Sequence, residues 1–192
     1  MRKGQITRGA VLDEATELAK QVGLGGLTIG TLAAQTDLSK SGLFAHFGSK
    51  ETLQIEVIEH AVARFTEQVI RPALTAPRGE PRLRALFERW LEWGAAPGGC
   101  LFVAAAMELD DQPGPVRERV VASQRDWLDT LVMIISGAVT EGHFRRDLDP
   151  RQLAQDVEGV MLAFHLTHRL LADPEALSRA RTALDALLAA AR

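Results

Sequence analysis

Apolar residues in this chain recur at intervals of three and four almost from end to end, and no stretch shows the apolar-polar alternation of period two that a half-buried strand requires. Val11, Leu12, Ala15, Leu18, Ala19 and Val22 form the first such stripe, closed by Gly23, a residue suited to the left-handed turn beyond a helix end. Thr28 is placed to cap a short second helix reaching about Thr36, Ser39 a third that ends near His46, and Ser49 a fourth with Glu51 in its first turn. Pro72, Pro77, Gly79 and Pro81 then interrupt the pattern, as do Pro97-Gly98-Gly99 and Pro113-Gly114-Pro115. The remaining helices are predicted over roughly 81–95, 100–110, 116–142, 150–172 and 174–191, the last two announced by Asp149-Pro150 and Asp173-Pro174. The expectation is an all-α protein.

Composition narrows the function classes. At 192 residues, with 46% apolar and 24% charged residues, the chain has the make-up of a soluble globular protein. The single Cys100 rules out an intramolecular disulfide and any CxxC site, which fits a reducing, cytoplasmic setting. No export signal and no span of about 18 apolar residues is present, so no membrane segment is expected. There is no GxSxG, P-loop, HExxH or dinucleotide fingerprint, so neither catalysis nor a cofactor is expected.

The run TDLSKSGLFAHFGSK, residues 36–50, carries two lysines, four hydroxyls, a histidine and two phenylalanines against one acid. Its place in the helix order makes it the second half of a helix-turn-helix: 29–36, a turn at Asp37-Leu38, then 39–46. Leu32, Ala33, Leu38, Leu43 and Phe47 fall inward, and Asp37 stands where a left-handed residue is commonly needed. Ser39, Lys40, Ser41, Phe44 and Ala45 face outward at the end that enters the major groove in this motif. Residues 1–50 hold six Lys or Arg and four Asp or Glu, whereas the whole chain has net charge −3, and all four lysines lie in this first part. Ammonium groups, hydroxyls and the amide ends of helices all suit phosphate, so Thr28, Ser39 and Ser49 at helix starts and Lys50 beside one of them are candidate backbone contacts. Lys40 is the one long donor on the recognition helix and suits a guanine edge or a phosphate. Ser41 suits either base edge, and Phe44 a thymine methyl or a sugar.

Residues 11–53, VLDEATELAKQVGLGGLTIGTLAAQTDLSKSGLFAHFGSKETL, resemble the DNA-binding domain of TetR-family transcriptional regulators, and the stretch GGCLF...MELDD...PGPVR resembles that of some members. The resemblance implies an N-terminal three-helix helix-turn-helix DNA-binding domain, 1–50, and a larger C-terminal helical ligand-binding and dimerisation domain, 51–192. It places Thr28, Lys40, Ser41, Phe44, His46 and Lys50 at positions the family uses on DNA. Phe44 stands where a tyrosine is usual, which removes one phosphate-bonding hydroxyl, and Ala45 is smaller than the usual aromatic. The implied partners are double-stranded operator DNA, a second copy of the chain and a small-molecule effector, and the implied mode is repression. The fourth helix, running from the DNA-reading head toward Pro72, is the lever such a mechanism would use. The alternative is a helical protein-interaction module with a degenerate helix-turn-helix, which a weak salt dependence would distinguish from duplex binding.

In the C-terminal part, the segment 153–171 is apolar nearly all round, which calls for burial on both sides and points to a homodimer. Val157, Leu162, Leu166 and Leu170, with Leu184 and Leu188 of the last helix, are the expected interface residues, and Gly159 would allow close approach. Trp90, Trp93, Phe102, Met107, Trp127, Phe164 and His168 are candidate walls for an apolar or aromatic effector, set against the plainer reading of each as core. His165 and His168 share a face but have no third ligand, so no metal site is expected. Cys100 is read as a buried inert thiol, with activation at a helix start as the alternative.

Overall fold

The computed structural model describes residues 8–36 and 38–192, so the turn conformation expected at Asp37 lies outside the described residues. The described helices are α1 (Arg8–Gly26), α2 (Ile29–Gln35), α3 (Lys40–Phe47), α4 (Lys50–Phe65), α5 (Arg71–Leu74), α6 (Glu80–Ala95), α7 (Leu101–Leu109), α8 (Pro115–Thr140), α9 (Pro150–Arg169) and α10 (Ala176–Ala191). The protein is all-α. None of the described helices is long and apolar enough to cross a membrane.

Helix starts follow the caps written in the sequence. Thr28 Oγ1 accepts from Thr31 N at 3.0 Å while Thr31 Oγ1 takes the Thr28 N–H at 2.8 Å, a reciprocal pair that satisfies two otherwise orphaned amides. Ser39 Oγ accepts from Gly42 N at 3.1 Å, Ser49 Oγ from Thr52 N at 3.0 Å and Asp149 Oδ1 from Arg151 N at 2.9 Å. Each cap is worth roughly 1 kcal/mol, enough to fix where these helices begin. At Gly23 the backbone turns to φ +77°, so the predicted stop is a kink inside α1, and α3 ends on Gly48 at φ +71°.

Two elements depart from the expected pattern. The helix entered at Ser49 does not end before Pro72. A π-helical turn, Thr66–Ile70, carries it into α5, with Arg71 N bonded to Thr66 O. This change of register lets a residue without an N–H continue the helix where an α-helical ladder would be broken. The last helix starts at Ala176, later than the Asp173-Pro174 pair predicts, because Asp173 spends its carboxylate on Glu175 N at 2.9 Å and closes a turn first.

Packing divides the chain into two compact units, one formed by the chain up to Arg64 with Leu101–Ala122, the other by Phe65–Cys100 with Ser123–Arg192. The division expected at residue 50 follows chain order, whereas packing does not. Leu101 and Ala105 of α7 and Val120 of α8 join a core built from Val11, Ala15, Leu32, Leu43, Phe47, Leu53 and Val57. Full burial of a leucine or phenylalanine side chain contributes about 1.5–3 kcal/mol, so Leu43 and Phe47 alone anchor α3 firmly. In the second unit, Phe87 and Trp90 of α6, Leu131 and Ile135 of α8, Met161 and Phe164 of α9, and Leu184 and Leu188 of α10 are buried. Glu80 N donates to His143 Nδ1 at 3.2 Å at the start of α6, and Gly79, at φ +92°, has no room for a Cβ beside that imidazole.

Candidate nucleic-acid interface

The two short helices present opposite faces to different environments. Leu43 and Phe47 of α3 are buried, while Lys40, Ser41, Phe44, Ala45 and His46 are exposed, and Phe44 is 59% exposed despite being aromatic. Ser39 Oγ lies 3.2 Å from Ser41 Oγ, so two hydroxyls sit together at the start of α3. Thr28 is half-buried at the start of α2. A Cβ placed on Gly30 would lie 3.6 Å from Thr28 Oγ1 and 3.9 Å from Lys40 Nζ. The lysine therefore leans back across α2, toward its amide end. Lys50, exposed at the start of α4, donates to Gly25 O at 2.6 Å and keeps its remaining donors for another acceptor.

A clamp that sequence reasoning missed holds this surface. The Arg8 guanidinium donates to Glu56 Oε2 at 2.6 Å and to His46 O at 2.9 Å, and lies 5.0 Å from the Phe47 ring centroid. One side chain of α1 thus ties the end of α3 to α4. Asp13 of α1 pairs with His60 at 2.8 Å and Arg64 at 3.1 Å further along α4. Pairs separated by about fifty residues leave no local pattern to read.

The candidate effector residues are divided between the two units. Trp90, Trp93, Trp127, Phe164 and His168 belong to the second unit, whereas Phe102 packs against the core of the first and Met107, in that same unit, is 63% exposed. Within the second unit Phe65 meets Trp93 and Trp127 edge to face, at 5.5 and 5.3 Å, and Phe164 stacks on His168 at 5.1 Å. Glu158 Oε2 accepts from Trp127 Nε1 at 2.7 Å. Burial raises the Glu158 carboxyl above the usual carboxylate range, against that hydrogen bond, which acts to lower it. His165 Nδ1 is buried without a hydrogen-bond partner among the described residues, and burial, then the charges of Arg169 and His168, push this imidazole down. Cys100 is buried. No group of three or more metal-ligating side chains occurs among the described residues.

The expected interface positions also divide. Val157, Leu184 and Leu188 are buried against their own chain, Leu162 is half-buried, and Leu166 and Leu170 are 51% and 74% exposed. The cause is simple: α10 and α6 of the same chain cover one side of α9. Beside it, α9 and α10 form an open apolar groove of about 830 Å³ lined by Gly159, Val160, Ala163, Ala180, Ala183 and Leu187 among others.

Comparison with known proteins agrees with this architecture. Residues 11–57 match the family described as bacterial regulatory proteins, tetR family, and residues 79–184 match the tetracyclin repressor-like C-terminal domain. The uncharacterized HTH-type transcriptional regulator YobS of Bacillus subtilis (strain 168) is 21% identical over 136 residues, 71% of this chain and 68% of YobS. A TetR transcriptional regulator from Chloroflexus aurantiacus J-10-fl superposes with TM-score 0.85 and 28% identity over 98% of this chain and 96% of that one. AibR, solved in complex with isovaleryl coenzyme A and operator DNA, superposes with TM-score 0.68 and 24% identity over 81% and 84% of the two chains.

Proposed function

The chain belongs to the TetR family of bacterial transcriptional regulators, and on that footing we propose that it is a dimeric repressor, released from its operator by an apolar or aromatic small molecule. The observation that carries the DNA reading is the outward face of α3, where Lys40, Ser41, Phe44 and His46 are exposed on a helix fixed from below by Leu43 and Phe47. That face offers an ammonium, a hydroxyl, an imidazole and a ring that can lie on a thymine methyl, beside two capped helix starts that suit phosphate. Thr28, Ser39 and Lys50 take the backbone, and Lys40, leaning toward Thr28, joins them or reaches a guanine.

The dimer reading rests on the α9–α10 groove, whose small side chains admit a helix pair from a second copy at close range. The effector reading rests on the rings of the second unit and on Glu158, a half-buried acid bonded to one of them, Trp127. AibR, a protein of this fold, was solved in complex with isovaleryl coenzyme A and operator DNA, so one such chain holds both a small molecule and a duplex.

Selection of bound fragments from random duplex DNA, with and without candidate apolar ligands, tests the proposal. Enrichment of a two-fold-symmetric sequence, abolished by a ligand, is expected. The exposed Phe44 equally suits a protein partner, and this second reading predicts no enriched duplex and little salt dependence of partner binding.

A further inference from the structure

The linker between α1 and α2 is held from a part of the chain that reading by motif assigns elsewhere. Because α1 breaks at Gly23, the amides of Leu24 and Gly25 need acceptors outside the preceding turn. Glu108 of α7 supplies both: its Oε2 accepts from Leu24 N at 2.8 Å and its Oε1 from Gly25 N at 2.5 Å. The carboxylate lies so close to the linker that two of its glycines have no room for a side chain. A Cβ on Gly23 would stand 2.8 Å from Oε2, and one on Gly25 would stand 2.5 Å from Oε1. On the carbonyl side of the same linker, Gly25 O accepts from Lys50 Nζ, and Leu24 O accepts from the side-chain amide of buried Gln54. Three residues further on, Thr28 caps α2.

We propose that Glu108 is a positioning residue for DNA recognition, its carboxylate seating the Leu24–Gly25 linker and thereby the start of the helix-turn-helix. The inference rests on the reading of α2 and α3 as the DNA-contacting pair. Glu108 lies in the portion matched by the C-terminal family domain, residues 79–184, and outside the N-terminal match, residues 11–57. The reading head thus needs a residue that its own motif does not contain. An acid in this position cannot itself contact phosphate favourably, and its charge is spent on two backbone amides, a charge-assisted arrangement stronger than two neutral hydrogen bonds.

The test uses the full-length protein, Glu108→Gln, Gly25→Ala and the double variant, with operator affinity measured across salt concentrations and amide exchange followed at Leu24 and Gly25. Glutamine keeps one acceptor oxygen but turns an NH₂ toward the other amide, and the alanine Cβ displaces the carboxylate without touching its charge. Each single variant is expected to weaken operator binding about tenfold, the scale of one lost charge-assisted hydrogen bond. The salt slope and preferred sequence should stay unchanged, and exchange at the two amides should accelerate. The double variant should lose no more than the worse single one, since both break the same link. Circular dichroism at the assay temperature checks that each variant is folded, and Gly25→Ala carries the test if Glu108→Gln is not. Wild-type affinity in the folded variants, an altered salt slope or sequence preference, or additive losses would overturn the assignment. Failure of the wild-type protein to bind any duplex would instead overturn the DNA reading, and the role of Glu108 with it.

Discussion

Lys40 and Glu158 each pose a question that a single substitution answers. Lys40 Nζ leans toward the start of α2, near Thr28, a place suited to phosphate, yet it remains the one long donor exposed on α3. Lys40→Ala is expected to relax preference at one base pair by ~1–3 kcal/mol per half-site if the ammonium reads guanine, and to weaken all sequences alike if it binds phosphate. Lys50→Ala should act on all sequences alike and lower the salt slope by about one phosphate. Competition binding against single-base operator variants separates the outcomes, and unchanged sequence preference in Lys40→Ala removes the base contact. Glu158 bears on stability. Its carboxyl is raised in the folded state, so the native protein holds this proton more tightly than the unfolded chain. This contribution is fully present below the ordinary carboxylate range and is lost as pH rises through the raised folded value. Glu158→Gln keeps an acceptor for Trp127 Nε1 and removes the half-buried charge, so it should raise the melting temperature at pH 8 more than at pH 5. An equal shift at both values would show that the acid is not strained in the fold.

The first four helices were legible because their signals are local. Thr28, Ser39 and Ser49 sit within three residues of the amides they cap, and the inward stripe of α3 needs only Leu43 and Phe47. What holds these helices together was not legible, because Arg8 reaches Glu56 and His46, and Glu108 reaches Leu24, across chain separations that no periodic pattern encodes. The same limit applies to the expected dimer face. The pattern shows that α9 is apolar on several sides, but not which side its own chain covers, and Val157, Leu184 and Leu188 fall on the covered side. The proposed interface therefore moves to the groove around Gly159, Val160, Ala163 and Ala183. Ala163 is exposed there, so Ala163→Glu should leave the protomer folded, place a charge where the second copy packs, and give monomers with reduced operator affinity. Sedimentation of wild type and variant at micromolar concentration checks this, and a monodisperse wild-type monomer would remove the dimer.

At the scale of the whole molecule, the proposed release from DNA is a matter of spacing and linkage. Two recognition helices that read one face of a duplex must stand about 34–36 Å apart or a multiple of that, so a displacement of a few ångströms spoils both half-sites. The chain leaves the first unit after Arg64, inside the continuous helical run formed by α4, the π-helical turn and α5, and that run is the proposed lever. An effector in the second unit shifts the equilibrium only by its difference in affinity for the DNA-bound and DNA-free conformations. Typical couplings are ~1–3 kcal/mol, a factor of roughly 5 to 150, and DNA must weaken the effector by the same factor that the effector weakens DNA. The second unit contains Trp90, Trp93 and Trp127, so binding of an apolar ligand there should be visible in tryptophan fluorescence. Titration of one such ligand into free protein and into protein saturated with operator is expected to give a weaker affinity in the second case, matched by the loss of operator affinity at saturating ligand. Equal ligand affinities in the two states would exclude this mechanism for that ligand, because no coupling could then act on the DNA.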